Sequence, residues 1–129
     1  MSKREYLGTA LTRYLFGVDN AKTITTRKLD GQQWYMAATI CELLRIASHS
    51  QAVHRERKKD ELTLKASEWR KETLSNGRRK KHILLVNNGG MLKLIYQATS
   101  PVAIEVQQRI ETIPENLIPA EWADYMTTE

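Results

Sequence analysis

The chain has 129 residues, 20 Lys and Arg against 15 Asp and Glu, and a formal net charge of +5, a length that fits one globular domain with at most a short arm or tail. Its 41% apolar and 27% charged residues disfavour wholesale disorder, since such a domain buries about two-thirds of its unfolded surface. No apolar run approaches the roughly 18 residues of a membrane helix, no signal-peptide core precedes a cleavage site, and one cysteine, Cys41, cannot alone close an internal disulfide or a structural zinc site.

Leu7, Leu11, Tyr14 and Leu15 fall at i, i+4, i+7 and i+8, which predicts an amphipathic helix within residues 4–16. Gly17, Asp19 and Asn20 break the pattern. The β-branched run Thr23, Ile24, Thr25 and Thr26, the turn dipeptide Asp30-Gly31 and the returning Gln33-Trp34-Tyr35-Met36 predict a β-hairpin over residues 23–37. From Ala37 the period becomes helical: Ile40, Leu43 and Leu44 share a stripe, with Thr39 as N-cap and Glu42 completing a capping box, and the helix should end near Ile46. Ser48-His49-Ser50 can cap a second helix over residues 51–59, apolar only at Ala52 and Val53.

Leu62-Thr63-Leu64 alternates like a half-buried strand, and His82 to Val86 reads as a more buried one. Between them, Ser75-Asn76-Gly77 signals a turn, with Arg78, Arg79, Lys80 and Lys81 directly after it, at the tip or returning edge of a β-ribbon. Asn87-Asn88-Gly89-Gly90 can cap a helix carrying Met91, Leu94, Ile95 and Ala98. Ser100 and Pro101 start another with Val102, Ile104, Val106 and Ile110, after which Pro114 and Pro119 delimit an acidic tail containing Trp122.

Charge is polarised along these elements. Residues 1–53 hold seven basic against four acidic groups, residues 54–82 eleven against five, and residues 83–129 two against six. The middle segment therefore carries +6 and the last −4, as expected of a basic surface aimed at a polyanion, although a solvated helix face gives the same run. Proteins that bind duplex DNA set Lys and Arg against phosphates and place donors such as Arg, Asn and Gln at a helix N-terminus. On the second predicted helix Gln51, His54, Arg55 and Lys58 lie at i, i+3, i+4 and i+7 behind the cap Ser48, and the preceding short helix supplies a helix-turn-helix-like partner. The wing cations Arg78, Arg79, Lys80 and Lys81 complete the candidate DNA-binding set.

Three stretches carry a family resemblance: LDGQQWYMAATICELLRI, SHSQAVHRERKKDE and KKHILLVNNGGMLKLIYQATSPVA. They are similar to the BRO-type N-terminal domain of phage antirepressors and large-DNA-virus proteins, in which a Gly turn precedes an aromatic strand and a helix ending in paired leucines, matched by Gly31, Trp34, Leu43 and Leu44. A later strand, an Asn- and Gly-containing turn and a leucine-rich helix are matched by Asn87, Gly90, Leu94, Ile95 and Ser100. The chain departs from the pattern at Thr39, where the family commonly has Asp, and at Val106 and Ile110, in place of an aromatic pair. Many relatives carry a further domain, and the resemblance covers only the first.

The expectation is a small α+β domain: a β-hairpin, a helix-turn-helix-like pair, a β-ribbon wing and C-terminal helices. It divides into an N-terminal helical arm (1–21), the BRO-type domain (22–114) and an acidic tail (115–129). The resemblance, with the basic helix and ribbon, implies a DNA-binding regulatory protein of phage or prophage type; the lack of an apolar run or signal-peptide core puts the expected site of action in the host cytoplasm, without membrane contact, and a homodimer is one form it can take. The competing class is an antirepressor-like interaction module that grips a repressor or other acidic partner, its tail docking a second chain through Trp122, Tyr125 and Met126. An enzyme is not expected, nor a cofactor or metal: His49, His54 and Cys41 match no zinc spacing, Gly89-Gly90 lacks the lysine of a phosphate loop, and Cys41 reads as a core residue. Trp69, in the basic region, is the tryptophan to test as a base-stacking platform.

Overall fold

The computed structural model describes residues 9–55, 60–123 and 125. Helix α1 (Ala10–Phe16) takes the later part of the predicted stripe, burying Leu11 and Leu15 together with Phe16, while Leu7 lies outside the described residues. Thr9 caps it reciprocally, its hydroxyl accepting the Thr12 N–H while the Thr12 hydroxyl accepts the Thr9 N–H. A short α2 (Val18–Ala21) follows. The hairpin forms about the expected turn, but its first strand starts only at Thr26, the last residue of the β-branched run: β1 (Thr26–Leu29) and β2 (Gln32–Met36) pair antiparallel, with Leu29 opposite Gln32. Asp30 and Gly31 both take positive φ, 52° and 77°, so the two-residue turn follows the twist of its strands.

Helix α3 (Ala37–Leu43) leaves β2 without a break, which corrects the expected Thr39 cap. Met36 occupies the N-cap position, and Thr39, already in the first turn, donates its hydroxyl to the Met36 carbonyl and accepts the Thr25 N–H. It therefore ties the helix start to the hairpin instead of opening the helix. Helix α4 (His49–His54) is capped by Ser48, whose hydroxyl accepts the Gln51 N–H. It is six residues long, not the nine expected over 51–59. Ala52 and Val53, its only buried residues, leave nothing beyond them to bury, and Arg55 turns out of the helix to meet Asp60.

The strand expected at Leu62-Thr63-Leu64 is a turn instead. Asp60 holds it, accepting the Leu62 N–H on its carboxylate and the Thr63 N–H on its carbonyl, while its own N–H donates to the Thr63 hydroxyl. The ladder partner of β4 (Arg79–Val86) is β3 (Trp69–Asn76), the segment that reads from composition as a polar insert. Helices α5 (Asn88–Gln97) and α6 (Pro101–Glu111) are capped as expected by Asn87 and Ser100, and the Ser100 hydroxyl also donates to the Leu44 carbonyl at the end of α3.

The four strands form an antiparallel sheet in the order β1-β2-β4-β3. Tyr35 and Val86 on one face join Ile40, Leu44, Leu94, Ile95, Val106 and Trp122 in the main core, and Trp34, Ile83 and Leu85 make a smaller cluster on the other with Leu29 and Met36. Both flanking segments are tied to this core. Arg109 of α6 donates to the Leu15 carbonyl, and Trp122, in a short turn after Pro119, is fully buried and donates its indole N–H to the Asn88 carbonyl. Among the described residues no helix is long and apolar enough to cross a membrane.

Candidate nucleic-acid interface

The β3–β4 ribbon leaves the sheet after its first two pairs. Tyr35 and Met36 of β2 reach only Val86 and Leu85, whereas β3 and β4 stay paired from Trp69–Val86 out to Asn76–Arg79. Gly77, with φ 67°, opens the turn at the tip, a conformation that an L side chain resists. Arg78, Arg79, Lys80 and Lys81 are all exposed there, and none is in an ion pair among the described residues. Strand alternation sends Arg79 and Lys81 to one face and Lys80 to the other, with Arg78 at the turn, so the tip is positive on both sides.

The root of the ribbon is held from three directions. On one face the Arg70 guanidinium lies 5.5 Å from the Trp34 ring and pairs with Glu72 at 3.0 Å and Asp30 at 3.6 Å. On the other, His54 meets Trp69 edge-on with centroids 4.7 Å apart. Trp69 is half-buried, with its ring engaged by His54 at the root. Behind the root, the turn at residues 65–68 presses on the start of α5, where a Cβ on Gly90 would come within 2.6 Å of the Glu68 carbonyl. Gly89-Gly90 is accordingly a close-approach and capping device, and Asn87 accepts the Gly90 N–H.

A buried ion pair locks that junction. Lys93 donates to a Glu68 carboxylate oxygen at 2.6 Å and to the Thr63 carbonyl, while Glu68 also accepts the Lys65 N–H and the Tyr125 hydroxyl. Burial pushes the Glu68 carboxyl up, but the Lys65 N–H, the Lys93 ammonium and the Tyr125 hydroxyl together hold it below its ordinary value. Burial likewise pulls Lys93 down, and its bonds to Glu68 and Tyr125 outweigh this and raise it.

The helix half of the expected site is less complete than the wing. Ser48 is engaged as a cap; Gln51 is exposed on α4; His54 packs on Trp69; Arg55 is held by Asp60 through two N–O contacts of 3.0 and 3.3 Å. Lys58 lies outside the described residues. Of the expected i to i+7 set, Gln51 and His54 lie on α4 and Arg55 is its C-cap. Sequence reasoning missed the exposed Lys71 on β3, and Arg27 and Lys28 on β1. Recognising residues 69–76 as an edge strand would have set Lys71 on the ribbon, opposite Leu84.

The model of the BRO family N-terminal domain matches residues 22–117. This chain belongs to that family. No curated protein and no solved structure matches it significantly. The match to the BRO domain begins before β1 and runs through α6 to the turn at Glu115–Leu117, so the whole sheet and the ribbon fall within it. Cys41 of the domain is buried in the core, and burial pushes its thiol up to about 12, which leaves it no thiolate near neutral pH.

Proposed function

We propose that this BRO domain is a DNA-binding regulatory module of phage or prophage type that works in the host cytoplasm without catalysing a reaction and grips duplex backbone through its β-ribbon. The observation that carries the reading is the run Arg78–Lys81, four exposed cations at the end of a ribbon whose opposite end is fastened into the core. Membership of the BRO family is consistent with it. On α4, the exposed Ser50 and Gln51 supply polar donors. For the competing interaction reading, Trp122 is buried in the core, Tyr125 is exposed and donates its hydroxyl to Glu68, and Met126 lies outside the described residues.

The test is the salt dependence of binding to random duplex, measured by gel shift or anisotropy. Each neutralised phosphate contributes about −0.9 to the log–log slope, so four wing contacts contribute about −3.6, or roughly 150-fold in affinity between 50 and 200 mM salt. The variant R78A/R79A/K80A/K81A should lose most of that slope. An unchanged slope overturns the wing assignment, and no duplex binding at low salt favours capture of an acidic repressor.

A further inference from the structure

The chain contains three histidines. All three, His49 and His54 from α4 and His82 from β4, line one groove of about 320 Å³ between that helix and the ribbon, together with Ser50, Trp69 and Lys71. Nothing in the sequence spacing of 49, 54 and 82 groups them; the pairing of β3 with β4 does, by setting Lys71 opposite Leu84 and His82 opposite Thr73. The chemistry of the lining is one-sided. It offers an ammonium, three imidazoles and a hydroxyl, and no carboxylate is among the described residues that line it. Strand alternation accounts for this: Lys71, His82 and, one step outward, Lys80 share the face that looks toward α4, while Glu72 is turned to the opposite face, where it binds Arg70. At the α4 end, the Asp60 carboxylate is occupied by Arg55, and Glu56 lies outside the described residues.

The imidazoles are differently held. His82 shares a hydrogen bond of 3.1 Å between Nδ1 and the Thr73 hydroxyl, His54 lies edge-on to Trp69, and His49 opens α4 in a half-exposed position. An anion in the groove would meet N–H and O–H donors from two elements, and bonds of this kind gain strength when the donor is charged. Imidazole is the side chain that gains charge as pH falls through the physiological range.

Position selects the source of that anion. Lys80 and His82 lie two residues apart on the same face of β4. The groove therefore continues the run of wing cations toward the core, where the same polyanion would meet it. We propose that the groove between α4 and the ribbon is a second phosphate-binding point, which takes a backbone phosphodiester of duplex DNA and holds it more tightly as its histidines gain protons. This inference rests on the duplex-binding reading given above, and it adds a pH-graded contact that the wing cations, charged throughout, cannot supply.

The experiment compares the full chain with H49Q/H82Q, which leaves His54 on Trp69, by anisotropy with a labelled random duplex at pH 5.8 and 8.0 and constant ionic strength. One charge-assisted hydrogen bond to phosphate corresponds to about tenfold in affinity, so the wild type should bind about tenfold or more tightly at pH 5.8 and the variant should change less than about threefold. Ring signals of His49 and His82 in the nitrogen-15 spectrum of the wild type give a readout that does not depend on the variant's folding: they should move on adding duplex. Inorganic phosphate is titrated in parallel. Ring shifts with phosphate but not with duplex overturn the phosphodiester assignment. Duplex binding that keeps its wing dependence while H49Q/H82Q retains the full pH response overturns the groove alone. No duplex binding at either pH overturns the preceding reading, and this one with it.

Discussion

Replacing Lys93 by Met should be the most damaging single change at the ribbon root. Lys93 and Glu68 are 4% and 6% exposed, and the Lys93 ammonium is within 2.6 Å of the carboxylate it neutralises. K93M leaves that carboxylate buried with only the Lys65 N–H and the Tyr125 hydroxyl as donors. Removing one partner of a buried pair costs about 3–5 kcal/mol, a large share of the roughly 5–15 kcal/mol that holds a domain of this size. At about 4 °C per kcal/mol, the melting temperature should fall by roughly 12–20 °C. E68Q/K93M, which removes both charges, should recover at least half of the loss, because no uncompensated ion remains.

The pH dependence follows from the same pair. Glu68 is held below its ordinary 4.5, so its contribution is complete above that value and is lost as pH falls through the lower folded value. Lys93 is raised above its ordinary 10.5, so its contribution is complete below that value and is lost only as pH rises through the higher folded one. The wild type should therefore lose this stabilisation in acid, and E68Q/K93M should lose less over the same range. Urea unfolding followed by circular dichroism at pH 7 and pH 3 measures both effects. A K93M cost below about 1 kcal/mol, or a double variant as unstable as the sum of its parts, refutes the reasoning.

Two further stability predictions can be read in the same urea experiment. The Trp34 indole N–H is buried without a partner among the described residues, whereas that of Trp122 donates to the Asn88 carbonyl at 2.7 Å. W34F should therefore cost within about 1 kcal/mol, and W122F about 1 kcal/mol more, since it also gives up a hydrogen bond; equal costs would contradict this. G90A should cost about 2–3 kcal/mol, because its new methyl group would meet the Glu68 carbonyl at 2.6 Å and the Val86 Cβ at 2.9 Å, and backbone must shift to admit it. A neutral G90A would show that the turn at residues 65–68 yields freely.

Local signals were legible in the sequence wherever one residue settles its own neighbourhood. Ser48, Asn87 and Ser100 cap the helices they precede, and Asp30-Gly31 makes its turn, because each effect acts within three or four residues. The wing was legible for the same reason, as a turn followed at once by four cations. What failed depended on distant partners. The β3 segment WRKETLSN has almost no apolar face because an edge strand is held by its ladder, and its partner lies across the tip. The length of α4 is set by the encounter of Arg55 with Asp60, which no helical period announces. Trp122 sits in a three-residue turn with no periodicity, so its burial showed only once α5 was in place behind it. Of the candidate site, the tip was readable and the histidine groove was not, since it exists only where two separate elements meet.

The ribbon divides adhesion from folding. Its root is fixed by Trp69, Arg70 and the Glu68–Lys93 lock, while its tip has no core neighbour to satisfy. Charge at positions 78–81 can therefore be raised, lowered or rearranged by mutation with almost no penalty to the fold. A lineage could retune how hard the domain holds its partner without passing through an unstable intermediate, and an engineer could graft a different sequence onto the same stem.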